Sequence, residues 1–237
     1  MRNAIAIAGK ELKSYFFSPV AYVVLALFML IWGWLFVGVL FNLQRADMDI
    51  LFHNLAFTLF LILSGFTMRL IAEEKRSGTI ELLMTSPITD VQMVLGKFLG
   101  CIAFFGVMLV VTFEVPLLLF LMKGNPDTGP IIGGYVGFFL LGATFISIGI
   151  FMSSLTDNQI VAYVLTFVTC LMLWILNWLS DFMGKTIGDA VKYVSFGERF
   201  QDFPKGIIDT RDVIFFLTFI GLFLFLSIRS TESRRWR

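Results

Sequence analysis

The chain has 237 residues, of which 58% are apolar and only 15% are charged, and its mean hydropathy is +0.87. A soluble domain carries about 45–50% apolar and about 25% charged residues, so a water-soluble fold of this length is excluded. The net charge of +1 offers no field that would recruit nucleic acid. With one histidine and two cysteines, we expect neither a metal site nor a haem.

Six long apolar runs divide the chain into membrane spans and connections. They cover residues 20–41, 50–68, 98–122, 131–153, 159–178 and 213–228. A helical span needs about 20 such residues, and we expect the short last run to borrow residues at its ends. The runs are continuous, whereas the strands of a membrane barrel alternate in polarity. The sequence therefore predicts an all-α polytopic membrane protein with a single domain, 1–237.

The distribution of positive charge predicts the orientation in the membrane. Six spans place both termini on one side. The tails and connections of that side carry 11 Lys and Arg residues, against 7 on the opposite side. Because cytoplasmic loops are enriched in Lys and Arg, we expect both termini to be cytoplasmic.

Residues 1–19 have the pattern of an amphipathic helix ahead of the first span. Five apolar side chains recur at helical spacing: Ile5, Ala8, Leu12, Tyr15 and Phe16. Lys10 and Lys13 fall on another face, as is typical of a helix that lies in the membrane interface. Pro19 then separates this helix from the first span, and the alternative is a simple extension of that span.

Residues 179–212, between the fifth and sixth spans, form a long connection. An amphipathic stretch followed by Gly197, Pro204 and Gly206 predicts one or two short helices on the outer surface.

The fourth span contains two pairs of small residues four apart, Gly133 with Gly137 and Gly149 with Ser153. Such pairs let helix backbones approach closely. Packing within the chain is the favoured interpretation, and a dimer face is the alternative.

The connection between the second and third spans, here called the 69–90 segment, has the pattern of a short helix at the membrane surface. Gly78 allows the chain to turn, and Thr79 can cap a new helix with Glu81 in its first turn. Leu83 lies on the apolar ridge of this helix, and Pro87 ends it. A solvated loop is the alternative, but a loop has no need of the ridge.

The third span begins and ends with distinctive residues. Thr89 and Gln92 form a capping box at its start. Glu114 is a carboxylate inside an apolar run, and Pro116 predicts a kink beside it. Two interpretations stay open for Glu114, a polar patch on a translocation or gating path and a neutral, hydrogen-bonded acid that fixes helix packing.

No enzyme motif is complete in this sequence. Gly184-Lys185-Thr186 resembles the end of a phosphate-binding loop, but Leu179 stands where the first glycine of that loop belongs. We therefore expect no nucleotide site, no catalytic residue and no cofactor in this chain.

Two longer patterns carry a family resemblance. The first is Glu73-Glu74-x3-Gly78-Thr79-x-Glu81-x-Leu83-x3-Pro87, directly after a span. It resembles the signature of ABC transporter type-2 permeases. The second is Glu198-Arg199-Phe200-x2-Phe203-x2-Gly206-x2-Asp209-x2-Asp212. It is similar to a subgroup that includes permeases of gliding motility and of nitrous-oxide-reductase maturation.

The resemblance implies a fold and a set of partners. The fold would have six spans, an elbow helix at 1–19, a cytoplasmic coupling helix within the 69–90 segment and an outer helical segment at 179–212. A separate ATPase subunit, present in two copies, would bind ATP and Mg and would dock on the coupling helix. The residues that form or position this contact would be Glu73, Glu74, Gly78, Thr79, Glu81, Leu83 and Pro87. A second permease chain forming a homodimer and an auxiliary outer-surface protein are also expected, in a bacterial or archaeal plasma membrane.

The resulting functional prediction is the membrane-spanning subunit of an ATP-driven exporter. The alternative is an ion-coupled secondary transporter or channel that uses Glu114. Movement of a soluble substrate and transmission of force to an outer partner both stay open.

Overall fold

A computed structural model describes residues 2–43, 48–79, 88–121, 127–180, 182 and 184–234. Over these ranges the chain forms eleven α-helices and no β-strand, which confirms the all-α prediction. The helices are α1 (Arg2–Phe17), α2 (Pro19–Leu43), α3 (Met48–Thr67), α4 (Ala72–Arg76), α5 (Asp90–Thr112), α6 (Glu114–Leu121), α7 (Thr128–Leu155), α8 (Gln159–Ser180), α9 (Lys185–Val194), α10 (Phe196–Phe200) and α11 (Thr210–Arg234).

Six helical segments are long and apolar enough to cross a membrane, as the sequence predicts. They are Ala21–Phe41, Met48–Arg76, Asp90–Leu121, Thr128–Leu155, Gln159–Ser180 and Thr210–Ser233. The third begins well before the predicted residue 98, because the capping box at Thr89 starts the helix at Asp90. The sixth has 24 residues and is not short, since helix α11 continues through polar residues beyond its apolar run.

Helix α7 is the centre of the bundle and packs against α3, α5, α8 and α11. Its small residues admit large side chains of these neighbours. A Cβ at Gly142 would overlap the ring of Phe105, and a Cβ at Gly149 would overlap the side chain of Thr67. The small residues of the fourth span are therefore occupied by contacts within the chain.

The bundle has two distinct ends. One, here called the terminal end, contains α1, α4, the start of α5 and the last turns of α7 and α11. The other, the far end, contains α9, α10 and the start of α11. Two short helices between the fifth and sixth spans agree with the prediction for 179–212.

The pattern Glu198–Asp212 closes the far end of the bundle. Arg199 Nη1 donates to Asp212 Oδ1 at 2.8 Å, and its guanidinium lies 4.1 Å from the centre of the Tyr193 ring. Phe203 is fully buried against Gly137 of α7. Gly206 has φ +85° and packs on the backbone of residues 129 and 130, where a side chain would collide. In the structure these residues therefore stabilise the packing of the far end.

Candidate functional site

Residues 72–79 of the 69–90 segment form a single turn of helix followed by a tight turn. Helix α4 contains Glu73 and Glu74 and ends at Arg76, with Ser77 as its C-cap and Gly78 next in the chain. Gly78 has φ +71°, so the turn predicted at this glycine is present. Residues 80–87 lie outside the described residues, and with them the predicted contact residues Glu81, Leu83 and Pro87.

The Ser153 side chain of α7 is inserted into the second span just ahead of α4. In a continuous helix the amide of Ala72 would donate to the carbonyl of Met68. Here the Ser153 hydroxyl accepts from Ala72 N at 2.9 Å and donates to Met68 O at 3.0 Å. It also accepts from Ile71 N at 3.1 Å. A side chain inserted into the ladder of hydrogen bonds is a known cause of a helix bend, so Ser153 holds the second span broken where the 69–90 segment begins.

Lys75 attaches the other side of α4 to the end of α7. Its ammonium donates to the carbonyl of Ser154 and lies 3.9 Å from Asp157 Oδ1. The same carbonyl accepts from Ser230 Oγ of α11 at 3.3 Å. The start of the 69–90 segment is therefore tied to the ends of the fourth and sixth spans.

A buried lysine joins three further elements at the terminal end. Lys97 of α5 is 2% exposed, and its Nζ lies 2.6 Å from Glu74 Oε1 of α4 and 3.1 Å from Glu11 Oε1 of α1. A buried charge is costly unless it is paired and hydrogen-bonded. The two carboxylates satisfy this requirement, and the three residues, here called the charge triad, connect α1, α4 and α5.

Helix α1 is separate from the first span, as Pro19 predicts, and it lies along α5. Gly96 and Gly100 of α5 form its seat, because a Cβ at Gly96 would meet Ile7 at 2.7 Å and a Cβ at Gly100 would meet Glu11 at 2.8 Å. Ile5 of the predicted apolar face is 67% exposed on the single chain, so the contact with α5 does not cover the whole of that face. The face of α1 that contacts the bundle is set by Gly96 and Gly100 of α5, so the sequence pattern of α1 alone does not predict it.

Tyr15 marks the middle of the α1 contact. Its ring stacks on Phe66 with the two centres 4.1 Å apart, and its hydroxyl lies 3.3 Å from Cys101 Sγ. Burial raises the pKa of the Tyr15 phenol well above its usual range. Tyr15 therefore remains a neutral packing residue at physiological pH.

The capping box predicted for the third span is present. Gln92 N donates to Thr89 Oγ1 and Thr89 N donates to Gln92 Oε1, each at 3.3 Å. Asn3 of α1 also donates to Gln92 Oε1, at 3.3 Å. The start of the third span is therefore joined to the start of α1.

A cavity of about 740 Å³ lies between α1, the end of α3 and the 69–90 segment. Its wall carries both signs of charge, including Lys10, Arg69 and Glu73, together with hydroxyl groups such as that of Ser77. Glu73, Ser77 and Thr79 are exposed. The 69–90 segment thus presents polar groups outward from a buried attachment.

Glu114 and Pro116 lie in a different region from these groups. The long third span breaks at Phe113, and Pro116, which has no N–H to donate, is buried in the first turn of α6. Glu114 is exposed on the single chain and does not point into its interior. At about 1.5 Å per residue it stands about 26 Å from Lys97 along the helix. The span ends at Leu121, so Glu114 lies nearer the far end than the terminal end.

Three residues that hold the start of the 69–90 segment were not predicted to have this role: Glu11, Lys97 and Ser153. The sequence carried a signal for one of them, because Lys97 interrupts an apolar run and sits between Gly96 and Gly100. Ser153 was noted only as a small residue. Among the described residues no group of three His, Cys, Asp or Glu side chains is placed to hold a metal ion.

The comparisons with known proteins agree with this architecture. A search of curated proteins found no match to the chain. The family model described as ABC-2 family transporter protein matches residues 5–226, which is nearly the whole chain and includes most of α1, the 69–90 segment and the far end. Six apolar helices and this match establish that the chain belongs to the ABC-2 family of transporter proteins, as a multi-pass membrane permease subunit of an ABC transporter.

Proposed function

We propose that the chain is the permease of an exporter and that its ATPase subunit docks on residues 73–87 of the 69–90 segment. The ATPase binds ATP and Mg, and the permease has no nucleotide site of its own. Two ATPase chains act on a homodimer of this permease in a bacterial or archaeal plasma membrane, with both termini in the cytoplasm. An auxiliary outer-surface protein completes the system.

One observation carries this proposal. Helix α4 is fixed at its start by buried hydrogen bonds to Ser153, and Glu74 is paired with buried Lys97. Directly after this attachment the chain is exposed at Ser77, Gly78 and Thr79. A rigid attachment that continues into an exposed polar turn suits a surface on which another subunit pushes.

The mechanism follows from differential binding. A subunit that binds the inward and outward conformations of the permease with unequal affinity shifts their populations. The change in the free-energy difference between the two conformations cannot exceed the difference in binding free energy. ATP binding in the partner supplies the difference. Because α4 contacts the fourth and fifth spans, and Lys75 shares the Ser154 carbonyl with Ser230 of the sixth span, displacement of the 69–90 segment is passed to these spans.

Glu114 does not need to carry an ion in this proposal. Its exposure on the single chain and the family match favour the ATP-driven proposal over the ion-coupled alternative. The position remains a candidate for shaping the path of the substrate together with Pro116.

The test is capture of the ABC ATPase encoded beside this chain by the wild type and by Gly78→Pro and Glu81→Lys. Gly78→Pro is informative because proline cannot adopt the φ of +71° found at Gly78. Glu198→Lys, an exposed charge reversal at the far end, is the matched control. We expect capture by the wild type and by the control, and loss with both test variants while membrane insertion persists. Absence of capture by the wild type, with and without nucleotide, would contradict the proposal.

A further inference from the structure

The charge triad differs from an ordinary surface ion pair in its burial. Lys97 is 2% exposed, and the side chains of Glu11 and Glu74 are 17% and 18% exposed. Exposed ion pairs contribute little to stability because water screens them. Here the low dielectric strengthens the attraction, and separating the three groups would leave charges unpaired inside the protein.

The triad also joins elements that are far apart in the chain. Glu11 belongs to α1, Glu74 to the 69–90 segment and Lys97 to the third span. Helix α1 is independently seated on Gly96 and Gly100, directly beside Lys97. A displacement of α4 therefore cannot leave α1 and the start of α5 behind without breaking the buried ion pairs.

We propose that Lys97 is a positioning residue that makes α1, α4 and the start of α5 move as one unit, so that the N-terminal helix follows the coupling segment when the ATPase changes state. The inference rests on the proposed function, because it takes the ATPase as the source of the movement. Movement of α4 then reaches the bundle through the third span and α1, in addition to its connections with the fourth and sixth spans.

The test measures the position of α1 in the complete complex. Spin labels are placed at Gly9 and Ile207 in nanodiscs that contain the permease and its ATPase. Gly9 is exposed, and a side chain there meets no atom within 4 Å. Ile207, between α10 and α11 at the far end, is 57% exposed and lies outside both the triad and the attachments of α4. The distance between the labels is measured by pulsed electron resonance with and without ATP, using an ATPase variant that binds ATP but does not hydrolyse it.

Four permease variants make the measurement specific. Glu11→Met removes the α1 side of the triad and leaves Lys97 paired with Glu74. Lys97→Met removes the centre, and the triple variant Lys97→Glu with Glu11→Lys and Glu74→Lys exchanges the charges of both ion pairs. Lys13→Met, which removes an exposed lysine of α1, is the control.

We expect the ATP-dependent change in distance in the wild type and in the control. It should be lost in Glu11→Met and Lys97→Met and restored by the charge exchange, an outcome that a merely structural role does not produce. An unchanged shift in Glu11→Met, with the ATPase still bound, would overturn the inference, and so would a wild type that binds its ATPase and shows no shift. Failure of the wild type to bind the ATPase overturns the proposed function as well. If Lys97→Met does not assemble, Glu11→Met decides alone.

Discussion

Replacing Ser153 by alanine removes the hydroxyl that holds the second span bent. We predict that Ser153→Ala destabilises the protein by about 2 kcal/mol. The hydroxyl makes three hydrogen bonds to the backbone of residues 68, 71 and 72, and bonds between membrane helices average about 0.6 kcal/mol each. If the amides of Ile71 and Ala72 instead both stayed unpaired, each would cost about 1–3 kcal/mol, and the loss would reach about 6 kcal/mol. The lower value is expected, because Ala72 N can pair with Met68 O once the serine is gone.

Thermal unfolding in detergent measures this loss. Cys101 and Cys170 are both free and fully buried, so a thiol-reactive fluorophore labels them only when the bundle opens. A loss of about 2 kcal/mol lowers Tm by about 4–8 °C in a domain of this size.

Ser147→Ala is the matched control for this measurement. Ser147 is on the same helix and equally buried, but its hydroxyl donates to Thr144 O of its own helix at 2.7 Å. We expect its Tm to stay within about 2 °C of the wild type. If Ser153→Ala and Ser147→Ala melt together near the wild type, the role assigned to Ser153 is wrong.

Four other substitutions separate the remaining roles. Lys97→Met leaves two partly buried carboxylates without their cation, and we expect a loss of about 3 kcal/mol in the same melting assay; a Tm equal to that of the wild type would contradict the pairing. Gly96→Leu overlaps Ile7 and should displace α1 at a cost of about 1–3 kcal/mol, which is measured as increased proteolysis before residue 19. Arg199→Met removes the bond to Asp212 and should loosen the far end, seen as faster hydrogen exchange over residues 196–212 with unchanged ATPase capture; unchanged exchange there would refute this role. Glu114→Gln should alter transport, once a substrate is in hand, while assembly is intact, and wild-type transport would remove Glu114 from the path.

Much of the fold follows from local sequence. The six spans, the break before Pro19, the turn at Gly78 and the capping box at Thr89 were all predicted correctly. Each depends on residues close together in the chain, because a span needs only a long apolar run and a cap needs partners three residues apart. The family pattern in the 69–90 segment is likewise contiguous, and the match to residues 5–226 agrees with it.

The partners of these local features were decided by the tertiary structure. The sequence shows Lys97 as a charge near an apolar run, but the two carboxylates that pair with it are 23 and 86 residues away. In the sequence Ser153 is only a small residue of the fourth span. In the structure its hydroxyl bonds to the bend of the second span, more than 80 residues earlier in the chain. The face of α1 that is buried was likewise chosen by two glycines of another helix.

The sequence by itself therefore determined which segments enter the membrane, where their helices start and break, and which family the chain resembles. The tertiary structure alone decided what fixes the start of the 69–90 segment and which face of α1 packs on the bundle. The physical reason is that apolar burial and capping act within a helix, whereas paired charges and inserted hydroxyls depend on which helices become neighbours.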